Sequence, residues 1–176
     1  EHGFPPTAFS FYSACEIYRQ LGLDKPNYQK ALAKTAHYLA EHHEAQASNQ
    51  EMASITALYS YFLISHDAEI HQAIERKLQR FLASQSTEGW FPEYGGADFG
   101  YLSVCLDMLA EYYRLSHDKR ALEPMQRMVA FLKWFVHPDG SIGGEYGSRN
   151  TTYFLPFGLE LLSSLGNKDA LAMRSA

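Results

Sequence analysis

Carboxylates, phenols and a guanidinium gather in one loop phrase that occurs twice. Gly89-Trp90-Phe91-Pro92-Glu93-Tyr94-Gly95 is echoed 52 residues later by Ile142-Gly143-Gly144-Glu145-Tyr146-Gly147. Asp98 and Tyr101 follow the first copy. Asp139 precedes the second, and Arg149, Asn150 and Tyr153 follow it. The register sets Glu93 over Glu145, Tyr94 over Tyr146 and Tyr101 over Tyr153. Three chemistries fit these side chains. Removing a proton α to a carboxylate needs a group that neutralises the acid and another that moves the proton. Arg149 and Asn150 suit the first task, Arg by bidentate grip, and Tyr146 or Tyr94 suits the second. His137 is the nearest imidazole. Glycoside hydrolysis needs two carboxylates, about 5–5.5 Å apart for retention or about 6.5–9.5 Å for inversion; Glu93, Glu145, Asp98 and Asp139 supply the residue types. The third reading has no chemistry. Glu accepts bonds from loop or helix N–H groups, Tyr closes the loop over a hairpin interface, and repetition itself favours such a structural use. Asp139-Gly140 reads most simply as a turn.

Helices must position these loops. The hydrophobic period is helical over roughly 7–21, 27–45, 49–65, 68–84, 98–116, 118–136 and 151–165, with a further start near 168. No strand alternation appears, and connections are short and punctuated by Gly, Pro, Asp and Asn. Leu63-Ile64-Ser65-His66-Asp67 returns as Arg114-Leu115-Ser116-His117-Asp118 and, degraded, as Leu165-Gly166-Asn167-Lys168-Asp169. Asp24 marks an earlier copy. All four aspartates read as caps on the helix that follows, and Asn49 reads as another. The unit is a helical hairpin of about 43–52 residues, and such a period marks a repeat architecture. Glu75-Arg76-Lys77 reads as ordinary exposed charge. His37, Glu41, His42, His43 and Glu44 read as a solvated helix end. Tyr112 or Tyr113 is expected in the core.

The bulk numbers bound the class. With 176 residues, 46% of them hydrophobic, the chain suits one globular domain over 1–176. A net charge of -5 offers no basic footprint for nucleic acid. No apolar run is long enough for membrane insertion. Cys15 and Cys105 sit in apolar helical runs with no metal or redox spacing, so neither metal nor cofactor is implied. They speak against a disulfide-dependent secreted scaffold and lean toward a soluble, cytoplasmic protein. Aromatics make up 14% of the chain, which leaves stacking surfaces for a sugar ring.

Gln85-Ser86-Thr87-Glu88-Gly89-Trp90 resembles the Gln and Gly-Trp repeat motif of terpenoid cyclases and protein prenyltransferases, which are alpha/alpha toroids. Pro138-Asp139-Gly140-Ser141-Ile142-Gly143-Gly144 is a weaker version. Its Asp-Gly-Ser loop is similar to those of six-hairpin glycosidases and toroidal polysaccharide lyases. The resemblance implies an all-α fold of helical hairpins forming part of an alpha/alpha toroid. It further implies that the chain is the C-terminal part of a longer ring, whose remaining hairpins are its first partners. The acid motif of squalene-type cyclases and the zinc ligands of prenyltransferases are missing, so terpene chemistry is not expected. The lyases' Asn, Arg and Tyr vocabulary points instead to a carbohydrate-active protein. The expected reaction is lyase or epimerase chemistry on an acidic, uronate- or capsule-type oligo- or polysaccharide. Hydrolysis by paired carboxylates and a non-catalytic glycan-binding scaffold are the alternatives. The expected catalytic set is Tyr146, Arg149, Asn150, Glu145, Glu93 and Tyr94, with Trp90, Asp98, Tyr101 and Tyr153 binding the ligand.

Overall fold

The computed structural model describes residues 3–23, 25–143 and 147–174. Among them stand eight α-helices: α1 (Phe4–Gln20), α2 (Pro26–Glu41), α3 (Ser48–Ser65), α4 (Ala68–Ala83), α5 (Phe99–Ser116), α6 (Leu122–Leu132), α7 (Phe157–Ser164) and α8 (Lys168–Arg174). Short 3₁₀ turns occupy Lys119–Ala121, Lys133–Phe135 and Ser148–Asn150. The described residues hold no strand, only isolated bridges such as Ala47 to Glu93 and Val136 to Ile142.

The odd-numbered helices pack side by side in chain order, α1 on α3, α3 on α5 and α5 on α7. The even-numbered helices lie against them as a second layer. Composition explains the division. α3 is apolar or small almost all round and is buried from Met52 to Leu58, as a helix enclosed on every side must be. α4 buries a single stripe, Ile70, Ala73, Ile74, Lys77, Leu78 and Phe81, at the three-and-four spacing of a surface helix.

The turn from each odd helix to the next even one has one backbone solution. Gly22, His66, His117 and Gly166 all take positive φ, at 59°, 53°, 56° and 88°. A left-handed residue there ends one helix sharply, and the next residue caps the following helix. Asp67 accepts from the Glu69 and Ile70 N–H groups, and Asp118 from Arg120 N–H. The third copy differs from the expectation. Asn167, not Asp169, accepts from Ala170 N–H, while Asp169 pairs with Lys133 at 2.8 Å. The left-handed residue has moved to Gly166, and the cap moves with it. Asp24 lies outside the described residues.

Two helix ends also depart from the periodic pattern. α2 stops at Glu41, and the following backbone is held elsewhere: Lys77 Nζ donates to the His42 carbonyl, and Glu44 N–H donates to Glu51. α7 begins at Phe157, not near 151. Leu155 precedes Pro156 and is turned away from helical backbone. The segment from Thr151 to Leu155 instead runs along the first turns of α5, where Leu155 N–H donates to Ser103 Oγ. Gly100 makes this possible, since a Cβ there would meet the Thr151 side chain.

Contacts also cross the row of odd helices. The Tyr12 hydroxyl of α1 donates to Glu111 of α5 at 2.9 Å, although α3 lies between these helices. Arg114 grips Glu111 at 2.6 Å and reaches Glu16 of α1 at 3.5 Å. Ser60 of α3 donates to Glu16 at 2.6 Å. In a flat row the axes of α1 and α5 would stand roughly 16–20 Å apart, twice the usual interaxial distance. Side chains meeting over α3 mean that the row curves.

Candidate functional site

The two loop phrases lie over the N-terminal ends of neighbouring odd helices. The 92–96 loop is fastened to the start of α3. The Pro92 carbonyl accepts from Ser48 N–H at 3.1 Å and Ser48 Oγ at 2.7 Å. Asn49 donates its backbone N–H (2.7 Å) and its side-chain amide (2.8 Å) to the two oxygens of Glu93. Asn49 is therefore not the N-cap. That position is Ala47, which has no capping side chain, and Glu93 satisfies the helix end from 44 residues away. Burial pushes the Glu93 carboxyl up to about 7, against the pull of the Asn49 hydrogen bonds; Asp98 and Glu44 add repulsion.

The 147–151 segment is fastened to the start of α5 by the same device. Asp98 accepts from Tyr101 N–H at 2.8 Å as the cap of its own helix, and from Ser148 N–H at 2.7 Å. Asp107 continues the series by accepting from Gly158 N–H at 2.8 Å in the first turn of α7. Burial raises its pKa, partly offset by the Gly158 and Phe157 N–H groups. Three buried carboxylates thus serve the first turns of three successive odd helices. Helix N-termini present unpaired donors and a positive dipole end, so a carboxylate is the natural partner.

Tyr94 stands out from the same loop. Its backbone N–H donates to the Gln46 carbonyl at 2.6 Å, and its φ is +51°, a region that non-glycine residues enter at a cost. The side chain is 62% exposed. Its ring meets Tyr101 edge-on with centroids 6.4 Å apart, and its hydroxyl accepts from Gln50 Nε2 at 3.2 Å. Trp90 is half-buried and donates its indole N–H to Glu88 at 2.8 Å. The Gln-and-Gly-Trp segment is otherwise structural. Gln85 ties the Gly89 and Pro124 carbonyls together, and Arg127 donates to the Ser86 carbonyl. Gly89 has φ +105°, and a Cβ there would fall on the Arg127 backbone.

In the second phrase, Arg149 and Asn150 are both exposed and both left-handed, with φ 61° and 51°. Tyr153 is 63% exposed. Asp139 makes a turn, accepting from Ser141 N–H and Oγ. Glu145 and Tyr146 lie outside the described residues. Of the expected set, then, Tyr94 and Tyr101 come together, and Asp98 joins the two loops through Ser148. Glu93 and Asp98 are buried under the loops as anchors. Arg149, Asn150 and Tyr153 face solvent.

One polar constellation escaped the sequence reading. Lys77 is only 1% exposed, not part of an exposed charged run. It contacts Glu51 at 2.8 Å, donates to the His42 carbonyl at 2.7 Å and lies over the Phe4 ring at 5.5 Å. His43 meets the same carboxylate at 2.9 Å. Burial lowers the Lys77 pKa, opposed by Glu51. The signal was available in the α4 stripe, where Lys77 falls in register with Ile70, Ile74 and Phe81.

Among the described residues no His, Cys, Asp and Glu group gathers three or more side chains that could hold a metal. None of their helices is long and apolar enough to cross a membrane. Comparison with protein-family models, curated proteins and solved structures finds no match to this chain.

Proposed function

We propose that this chain is a carbohydrate-active protein, an arc of an alpha/alpha toroid that holds an acidic polysaccharide on the loops over the N-terminal ends of α3 and α5. The curved row of odd helices supports the arc. The observation that carries the ligand reading is Tyr94, an exposed phenol fixed at positive φ, braced edge-on by Tyr101 and hydrogen-bonded by Gln50. A rigid amphipathic ring of this kind offers a flat apolar face and a polar tip, the two surfaces a pyranose needs. Strained backbone under an exposed side chain is itself a pointer to use.

Elimination or epimerisation on a uronate is the catalytic form of this reading. The exposed Arg149-Asn150 pair favours it, because it offers donors for a substrate carboxylate next to the loop tied to Asp98. Paired-carboxylate hydrolysis draws less support, since Glu93 and Asp98 are buried and already accept backbone N–H groups. The test titrates defined uronate oligosaccharides, and neutral ones of equal length, into the protein by calorimetry. Uronates are expected to bind, and Tyr94→Ala is expected to weaken binding at least tenfold, about 1.4 kcal/mol. Ultraviolet absorbance of the same mixtures reads elimination through its new conjugated double bond. Binding without absorbance assigns a glycan-binding scaffold or an epimerase; failure of every glycan to bind rejects the proposal.

A further inference from the structure

A cavity of about 510 Å³ opens between the 140–142 turn, the segment before α7, and helices α7 and α8. It falls inside the roughly 300–1,000 Å³ range of small-molecule sites. Ile142, Phe154, Leu159 and Met173 form apolar walls, Tyr153 stands at the edge, and Arg174 closes one side. Arg174 is held by Glu160 at 2.9 Å, but both side chains are about half exposed, and such a pair is worth little. Its guanidinium has five donors, of which this contact engages one. The mouth is therefore an aromatic edge over an apolar floor, with a cation that a carboxylate can compete for.

Its place in the fold matters as much as its lining. Tyr153 stands 52 residues after Tyr101 in the loop register. Tyr101 braces the exposed phenol of the first loop. Tyr153 belongs to the segment that the Asp98–Ser148 and Ser103–Leu155 hydrogen bonds hold along the start of α5. Both aromatic edges thus lie toward the N-terminal ends of parallel odd helices, one hairpin apart. The cavity itself is not on the inner row alone, because α8 of the second layer supplies one wall.

We propose that this cavity is a second subsite for the same acidic glycan, taking one uronate residue against Tyr153 with its carboxylate toward Arg174. This rests on the reading of the Tyr94 loop as a glycan surface. A chain long enough to reach both places engages them together, and the second contact then acts at high effective concentration. Affinity accordingly climbs with oligosaccharide length, and the climb depends on Tyr153.

The experiment measures dissociation constants by calorimetry for uronate di-, tetra-, hexa- and octasaccharides with the wild-type chain, Tyr153→Ala, Arg174→Ala and Tyr94→Ala. Circular dichroism monitors folding, and Leu159→Trp, which fills the cavity without removing Tyr153, serves as an independent variant. The expected result is a gain of tenfold or more from the shortest to the longest ligand in the wild type. Tyr153→Ala and Leu159→Trp should abolish that gain while leaving disaccharide binding within twofold. A wild-type gain that survives both variants overturns the second subsite while leaving the Tyr94 reading intact. Absence of binding by every uronate overturns both.

Discussion

Glu93 shows how a side chain that looks catalytic can be committed to structure. Its two oxygens accept both donors of Asn49, and its carboxyl titrates near 7 because burial outweighs those bonds. An unfolded glutamate titrates near about 4.3. Between these values the folded chain holds a proton that the unfolded chain has lost. Stability therefore falls as pH rises from about 4.3 to about 7 and levels off above. The shift corresponds to at most about 3 kcal/mol. Urea unfolding at half-unit pH steps is expected to show this decline, and Glu93→Gln should flatten it. A wild-type profile that is flat or rises from pH 5 to 7 would contradict the assignment. The repeated Glu-Tyr pair was legible as a loop element. Its division of labour, Glu inward as anchor and Tyr outward as exposed ring, was not, because sequence spacing carries no information on which side of a loop a residue faces.

The hairpin turn is the best-determined element. A left-handed residue ends the odd helix and a side-chain oxygen caps the even one. Asp67→Ala and Asn167→Ala are each expected to cost about 1 kcal/mol. Asp169→Ala removes only a surface ion pair and should cost less than about 1 kcal/mol. Thermal or urea denaturation of the three variants checks the order, and an Asp169 variant more damaging than the Asn167 variant would restore the aspartate register read from the sequence. That reading matched Asp67, Asp118 and Asp169 at equal intervals of 51. The fold instead aligns caps by the left-handed residue before them, since cap geometry depends on φ and not on the identity of the nearest acid.

At the scale of the whole molecule, Lys77 is the central fastening. It joins α4 to Glu51 of α3, to the His42 carbonyl after α2 and to the Phe4 ring of α1. A buried ion pair of this kind is costly to form and costlier to halve. Lys77→Met is expected to destabilise by about 3–5 kcal/mol, because Glu51 keeps its charge and loses its partner. Glu51→Gln together with Lys77→Met should cost less than the sum of the single changes. Equilibrium unfolding of the double-mutant cycle measures the coupling, and strict additivity would mean the pair is not a unit. The Tyr12–Glu111 contact across α3 acts at the same scale, setting the bend of the helix row, and burial raises the Tyr12 hydroxyl to about 12 so that it stays a donor.

The amino-acid sequence alone determined the helical class, the short turns and the two loops that share a phrase. These follow from local rules: a 3.6-residue period, glycines and prolines that punctuate it, and oxygen side chains at helix starts. Tertiary structure decided which carboxylates serve which helix. Glu93 to Asn49, Asp98 to Ser148 and Asp107 to Gly158 join residues 44, 50 and 51 apart, and nothing in the neighbourhood of either partner marks the pairing. Packing also decided the burial of Lys77, the late start of α7 and the meeting of α1 with α5 over α3. A helix end needs a partner for its free N–H groups, but only the packed neighbour determines who supplies it.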